Sequence, residues 1–184
     1  MKNITTAFIL LLAVGRARAF APAAPPPEVD KTTPGYHQLD RMRFLLGKWE
    51  SKDGPGGKPV QLWYKFVSGG STLVETEKVG EAPEMITVYN LDHDRLVMTH
   101  YCSYNNQPHM RAELPSDPIK QIRFSFESIT NLPSPDSGHM HGLVLDFQDN
   151  DHFTQTWTWA EKGAQSPVTF RLSRAKQSND LDGK

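Results

Sequence analysis

Phe44-Leu45-Leu46-Gly47-Lys48-Trp49-Glu50 is the stretch whose reading decides the fold. Just before it, apolar residues fall at Tyr36, Leu39, Met42 and Phe44/Leu45, close to the helical period, after a Pro34-Gly35 start. This short amphipathic segment runs straight into a Gly-x-Trp box. Beyond the box the chain is a succession of short alternating segments with no long helix. A short helix plugging one end, a tryptophan in the floor and a meander of strands describe an all-β, antiparallel up-and-down barrel. Barrels of this kind commonly enclose a pocket.

The alternation predicts strands over 47–51, 60–67, 71–79, 85–91, 95–104, 109–113, 119–128, 139–148, 152–161 and 168–174, with 109–113 the weakest. Breakers separate them, among them Gly54-Pro55-Gly56-Gly57, Ser68-Gly69-Gly70, Asp92-His93-Asp94 and Pro133-Ser134-Pro135-Asp136-Ser137-Gly138. The expected barrel has roughly eight to ten strands. Residues two apart share a face. Val60, Leu62, Tyr64 and Phe66 form one apolar face; Leu96, Met98, His100 and Cys102 another; Ile122, Phe124 and Phe126 a third. His139 and His141 are placed on the face of Leu143, Leu145 and Phe147, and Val168, Phe170 and Leu172 complete the set. On 152–161 the Phe153/Gln155/Trp157/Trp159 face is the expected interior, because indole rings bury the larger apolar area.

The ends of the chain are read separately. Lys2, the apolar run Ala7 to Val14 and the small-x-small site Ala17-Arg18-Ala19 make residues 1–19 a secretory signal peptide. The expected protein is therefore exported, periplasmic or secreted. Residues 20–33 include Ala21-Pro22-Ala23-Ala24-Pro25-Pro26-Pro27, an extended tether. The barrel occupies 34–175 and 176–184 is a polar tail. No later segment is long and apolar enough for a transmembrane helix. The removed segment holds three basic residues and no acidic one, so the formal charge moves from −1 to −4. That balance argues against a nucleic-acid partner. Cys102 is the single cysteine, so no internal disulfide forms.

Gly47-Lys48-Trp49 after a short helix resembles the opening of calycin barrels: lipocalins, fatty-acid-binding proteins and nitrobindin-like haem-binding barrels. The resemblance implies a basic residue of the last strand stacked on the tryptophan. Arg174 fits that role by alternation, with Arg171 second. A closer resemblance covers most of the chain after the tether. Met85-Ile86-Thr87-Val88-Tyr89, Leu96-Val97-Met98-Thr99-His100-Tyr101-Cys102, Gly138-His139-Met140-His141 and Asp151-His152-Phe153-Thr154-Gln155 resemble exported, lipocalin-like bacterial proteins of unassigned function. It implies fold and compartment and carries no activity or haem ligand to any residue.

His139-Met140-His141 is the sharpest local signal, since two imidazoles two apart on a strand stand side by side. With His100 they would make a three-histidine site of the kind that leaves zinc an open position. The same rings are candidate ligands of a non-covalent haem. The commoner use of such a pair is hydrogen bonding to backbone or water at a rim. His100 and Cys102 share a face, but nothing in the sequence supplies an oxyanion hole or a third, orienting group. The preferred reading is a binding protein, without a predicted cofactor, for a small, largely apolar molecule inside the barrel. Tyr64, Phe66, Met98, Phe124, Phe126, Leu143 and Leu145 form its wall, and His100, His139, His141 and Arg111 its polar contacts. The alternatives are a haem- or zinc-dependent protein or enzyme built on the three histidines, and a filled barrel acting as an interaction module.

Overall fold

A computed structural model of the protein describes residues 28–176. The expected signal peptide, nearly all of the Pro-rich tether and most of the tail lie outside the described residues.

Thr33 caps the first helix, α1 (Pro34–Arg41): its hydroxyl accepts the Tyr36 N–H at 3.2 Å, and Pro34 occupies the first turn, where no N–H is needed. The sequence suggested one helix to Leu45. Instead the last turn, Met42–Leu45, tightens into a 3-10 turn. Its carbonyls explain the change. Trp49 Nε1 donates to Leu45 O at 2.7 Å, while the Arg174 guanidinium donates to Phe44 O at 3.0 Å and Leu46 O at 2.9 Å. The helix end is thus satisfied by the barrel floor rather than by water.

Ten strands follow: β1 (Gly47–Ser51), β2 (Val60–Val67), β3 (Thr72–Val79), β4 (Met85–Asp92), β5 (Arg95–Tyr101), β6 (Gln107–Ala112), β7 (Gln121–Thr130), β8 (His139–Phe147), β9 (His152–Glu161) and β10 (Ala164–Arg174). Each pairs antiparallel with the next, and β1 closes on β10 through Trp49↔Arg174 and Glu50↔Ser173. The weakly marked strand at 109–113 is a full member of the wall, as β6. β10 starts four residues earlier than expected. Lys162 and Gly163 both have positive φ (52° and 73°), which suits a two-residue hairpin, so pairing begins at once with Ala164↔Glu161. Pro167 is tolerated there because β1 reaches only the last residues of β10, leaving Pro167 a neighbour on one side only.

α1 packs under one end of the barrel. Gly35 N donates to Asp94 O at 2.8 Å in the β4–β5 turn, and Gln38 Nε2 donates to Glu113 O at 2.9 Å. Gly35 is required at this contact: a Cβ would sit 2.6 Å from the Arg95 carbonyl carbon. Above the helix Trp49 is 1% exposed, edge-on to Phe153 at 4.8 Å and beneath Arg174, whose guanidinium carbon lies 4.2 Å from the ring centroid. Arg174 therefore fills the role expected of it. The plug-side half of the barrel is packed with Leu45, Leu62, Leu73, Leu96, Ile122 and Leu172, all at most 2% exposed. The opposite end, the mouth, carries the β1–β2, β3–β4, β5–β6, β7–β8 and β9–β10 connections.

Candidate functional site

Toward the mouth the interior becomes polar. The register sets Tyr64 opposite Glu75, Glu75 opposite Thr87 and Thr87 opposite His100, a single inward row across β2, β3, β4 and β5. Glu77, two residues beyond Glu75, points the same way and is 2% exposed. From the far wall, β9 presents Gln155 and Trp157, both fully buried.

Glu75 is well provided with donors. The Tyr89 hydroxyl donates to its Oε2 at 2.7 Å, and Gln155 Nε2 lies 3.1 and 3.2 Å from its two oxygens. Burial raises the Glu75 pKa and these bonds oppose the rise. Glu77 receives no such help. Burial first, and then the Glu75 charge, push its carboxyl well above the ordinary range. Of the pair, Glu75 is the member suited to carry the charge and Glu77 the member suited to hold a proton. Burial and Glu75 also raise the Tyr64 and Tyr89 phenols well above their usual value.

His100 bonds through Nδ1 to Thr87 Oγ1 at 2.9 Å, and its ring lies 4.7 Å from that of Trp157. Burial lowers its pKa to about 4, so the ring is neutral at neutral pH. The polar atoms left over are informative. Among the described residues Glu77 Oε2, Gln155 Oε1, His100 Nε2 and Trp157 Nε1 are all buried without a partner, as is Asn106 Oδ1 on the β5–β6 connection. Buried polar atoms ordinarily have partners, and a group of orphans inside one barrel marks where water or a ligand supplies them.

The predicted site residues divide. His100 is in this interior group. Tyr64, Met98, Phe124, Leu143 and Leu145 are inward and at most 1% exposed. Phe66 is half-buried at the plug end, with the Arg43 guanidinium 4.5 Å from its ring centroid. His139 is buried, 7% exposed, and His141 half-buried. A bulge takes the pairing with β9 from Met140↔Trp159 directly to Gly142↔Thr158, leaving His141 as the extra residue, and Met140 also packs against the core. The two imidazoles lie against Phe126 at the mouth. His141 stacks on that ring at 4.3 Å, His139 Nε2 lies 3.2 Å from His141 Nδ1, and His139 Nδ1 bonds to Ser137 O at 2.9 Å. Among the described residues no group of three or more His, Cys, Asp or Glu side chains is placed to hold a metal ion, so the three histidines do not gather into one centre. Arg111 points outward, because Met110 and Ala112 take the interior positions of β6, and it is held by Asp92 and Glu127.

Glu77, Thr87 and Tyr89 were missed as site residues. Their signal was available: Glu75 and Glu77 alternate in phase with Leu73, which places carboxyls on a buried face.

No protein-family model matches the chain, and no curated protein matches it. What the structure defines is a class by architecture: a closed ten-stranded antiparallel barrel of calycin-like form, with a short N-terminal helix and a polar interior toward its mouth. Among the described residues no helix is long and apolar enough to cross a membrane.

The neutral His100 makes acid sensitivity predictable. The unfolded imidazole titrates near 6.5 and the buried one near 4, so the unfolded state binds more protons between these values. Stability conferred above pH 6.5 is lost as pH falls toward 4, by on the order of 3 kcal/mol. Urea unfolding of wild type and His100→Gln over that range should show wild type losing stability relative to the variant, a difference from which the other titrating groups, Glu77 and His141 among them, drop out.

Proposed function

We propose that the protein is an exported binding protein that holds a small molecule non-covalently in the mouth-side half of its barrel. The observation that carries this reading is the set of orphaned polar atoms on Glu77, His100, Gln155 and Trp157, all inward and all without partners among the described residues. Apolar walls from Met98, Phe124 and Leu143 suit an apolar body, and the orphaned atoms suit one polar end. Export is supported by Lys2, the Ala7 to Val14 run and Ala17-Arg18-Ala19. Binding is favoured over thiol catalysis because burial, with Glu77 nearby, raises the Cys102 pKa and disfavours the thiolate nucleophile.

The test is native mass spectrometry of untagged protein from the exported fraction, with N-terminal sequencing of the same sample. The expected result is one non-covalent adduct, released unchanged on denaturation and held at least about tenfold more weakly by Trp157→Phe, which keeps an aromatic ring and removes the N–H donor. A haem or zinc adduct would favour the histidine reading. A chain that is empty as isolated, and whose tryptophan fluorescence no small amphipathic molecule alters, would leave the filled barrel as an interaction module.

A further inference from the structure

We propose that the ligand is an organic ammonium ion seated against the Glu77 carboxylate. The proposal rests on the binding reading above and specifies its chemistry. The buried polar side chains include two glutamates and, among the described residues, no lysine or arginine. A buried carboxylate without a cation or a full set of donors is costly, so the interior lacks positive charge, and either a proton or a ligand provides it. Glu75 already receives Tyr89 and Gln155, which leaves Glu77 Oε2 as the unfilled acceptor. Gln155 Oε1 is a second one: its amide must turn the nitrogen toward Glu75, so the oxygen faces away without a donor.

Two unfilled acceptors, one of them a carboxyl, call for N–H donors on a cation, and an ammonium group carries up to three. The surroundings favour an organic cation over a metal ion. Tyr64, Tyr89 and Trp157 are fully or almost fully buried aromatic neighbours of the carboxyl row, and π faces attract organic cations. An acceptor elsewhere on the same molecule would meet the Trp157 N–H, which is also unfilled.

Binding involves one proton exchange. In the empty barrel Glu77 is protonated; the arriving ammonium takes its place, and one proton leaves to solvent. The titratable groups facing Glu77 are Glu75 on its own strand, Tyr64 on β2, Tyr89 on β4 and Cys102 on β5. Burial keeps the phenols and the thiol protonated through neutral pH, and His100, nearby on β5, is neutral above about 4. The pH dependence of binding therefore belongs to the Glu75–Glu77 pair, with Glu77 the member that burial and its neighbour's charge hold protonated to the higher pH.

The experiment titrates the full mature chain, by calorimetry and thermal shift, with benzylammonium and propylammonium, the matching alcohols benzyl alcohol and propanol, and the matching anions benzoate and propionate. The expected result is that an ammonium probe binds best, with affinity rising up to about tenfold per pH unit while Glu77 still holds its proton. Glu77→Gln should weaken ammonium binding at least about tenfold and flatten its pH dependence. Equal or tighter binding of an alcohol or anion, or wild-type ammonium affinity in Glu77→Gln, overturns the proposal. If an alcohol or anion binds inside the barrel while ammonium is not preferred, the ammonium assignment falls and the binding reading stands. If none of the six probes binds at millimolar concentration, both fall.

Discussion

Trp49→Ala is expected to cost roughly 3–5 kcal/mol of stability, the range for removing a buried tryptophan. Three things are lost together. The cavity opens between Phe44, whose ring centroid lies 5.4 Å from that of Trp49, and Phe153 at 4.8 Å. Leu45 O loses the indole N–H that it accepts at the end of the helical plug. Arg174 loses the ring it covers and keeps its carbonyl contacts at Phe44, Leu46 and Asn150, its place over the Phe44 ring and its ion pair with Asp151. Urea unfolding should show a lower midpoint with an unchanged slope, and the melting temperature should drop by on the order of 10 °C. Trp49→Phe, which retains part of the packing, should lose less. An alanine variant as stable as wild type would show that the floor does not hold the barrel closed.

Glu77→Gln is expected to do the opposite and stabilise the ligand-free protein at pH 8. Free glutamate titrates near 4.5, while the folded Glu77 keeps its proton to much higher pH because burial and the Glu75 charge oppose ionisation. Between those limits the folded state binds more protons than the unfolded state, so stability falls as pH rises through the window. The loss is about 1.4 kcal/mol for each unit by which the folded value is raised. Glutamine keeps the shape and never ionises. The variant should therefore match wild type near pH 4.5 and exceed it at pH 8, by urea midpoint at both values. His100 adds a slope of opposite sign below pH 6.5, so wild type should be most stable in weak acid and Glu77→Gln near neutrality. A variant that loses a ligand while gaining stability separates binding from folding, and carboxyls kept for function commonly have this signature.

Most of the wall was legible because a barrel strand repeats every two residues and its turns contain breakers. Val60 to Val67 and His152 to Glu161 match their strands residue for residue. The stacking of a last-strand basic residue on Trp49 came from the calycin resemblance, and the phase of the last strand chose Arg174 over Arg171. Errors fell where a local rule lost to a neighbour. β10 begins at Ala164 rather than at 168, with Pro167 inside it, because the absent second neighbour there removes the usual objection to proline. The bulge at His141 was not legible in the alternation of β8, because bulges depend on the partner strand as much as on the sequence that bends.

By itself the sequence determined the architecture: an all-β meander, a helical plug, an inward apolar face and the identity of the floor. Those features follow from periodicity and short-range turn chemistry, both written along the chain. Only the tertiary structure decided the site. Glu77, His100, Gln155 and Trp157 come from β3, β5 and β9, and no spacing along the chain relates them. They form a group because barrel closure sets the register of distant strands, and they become informative only once burial shows which of their atoms are left without a partner.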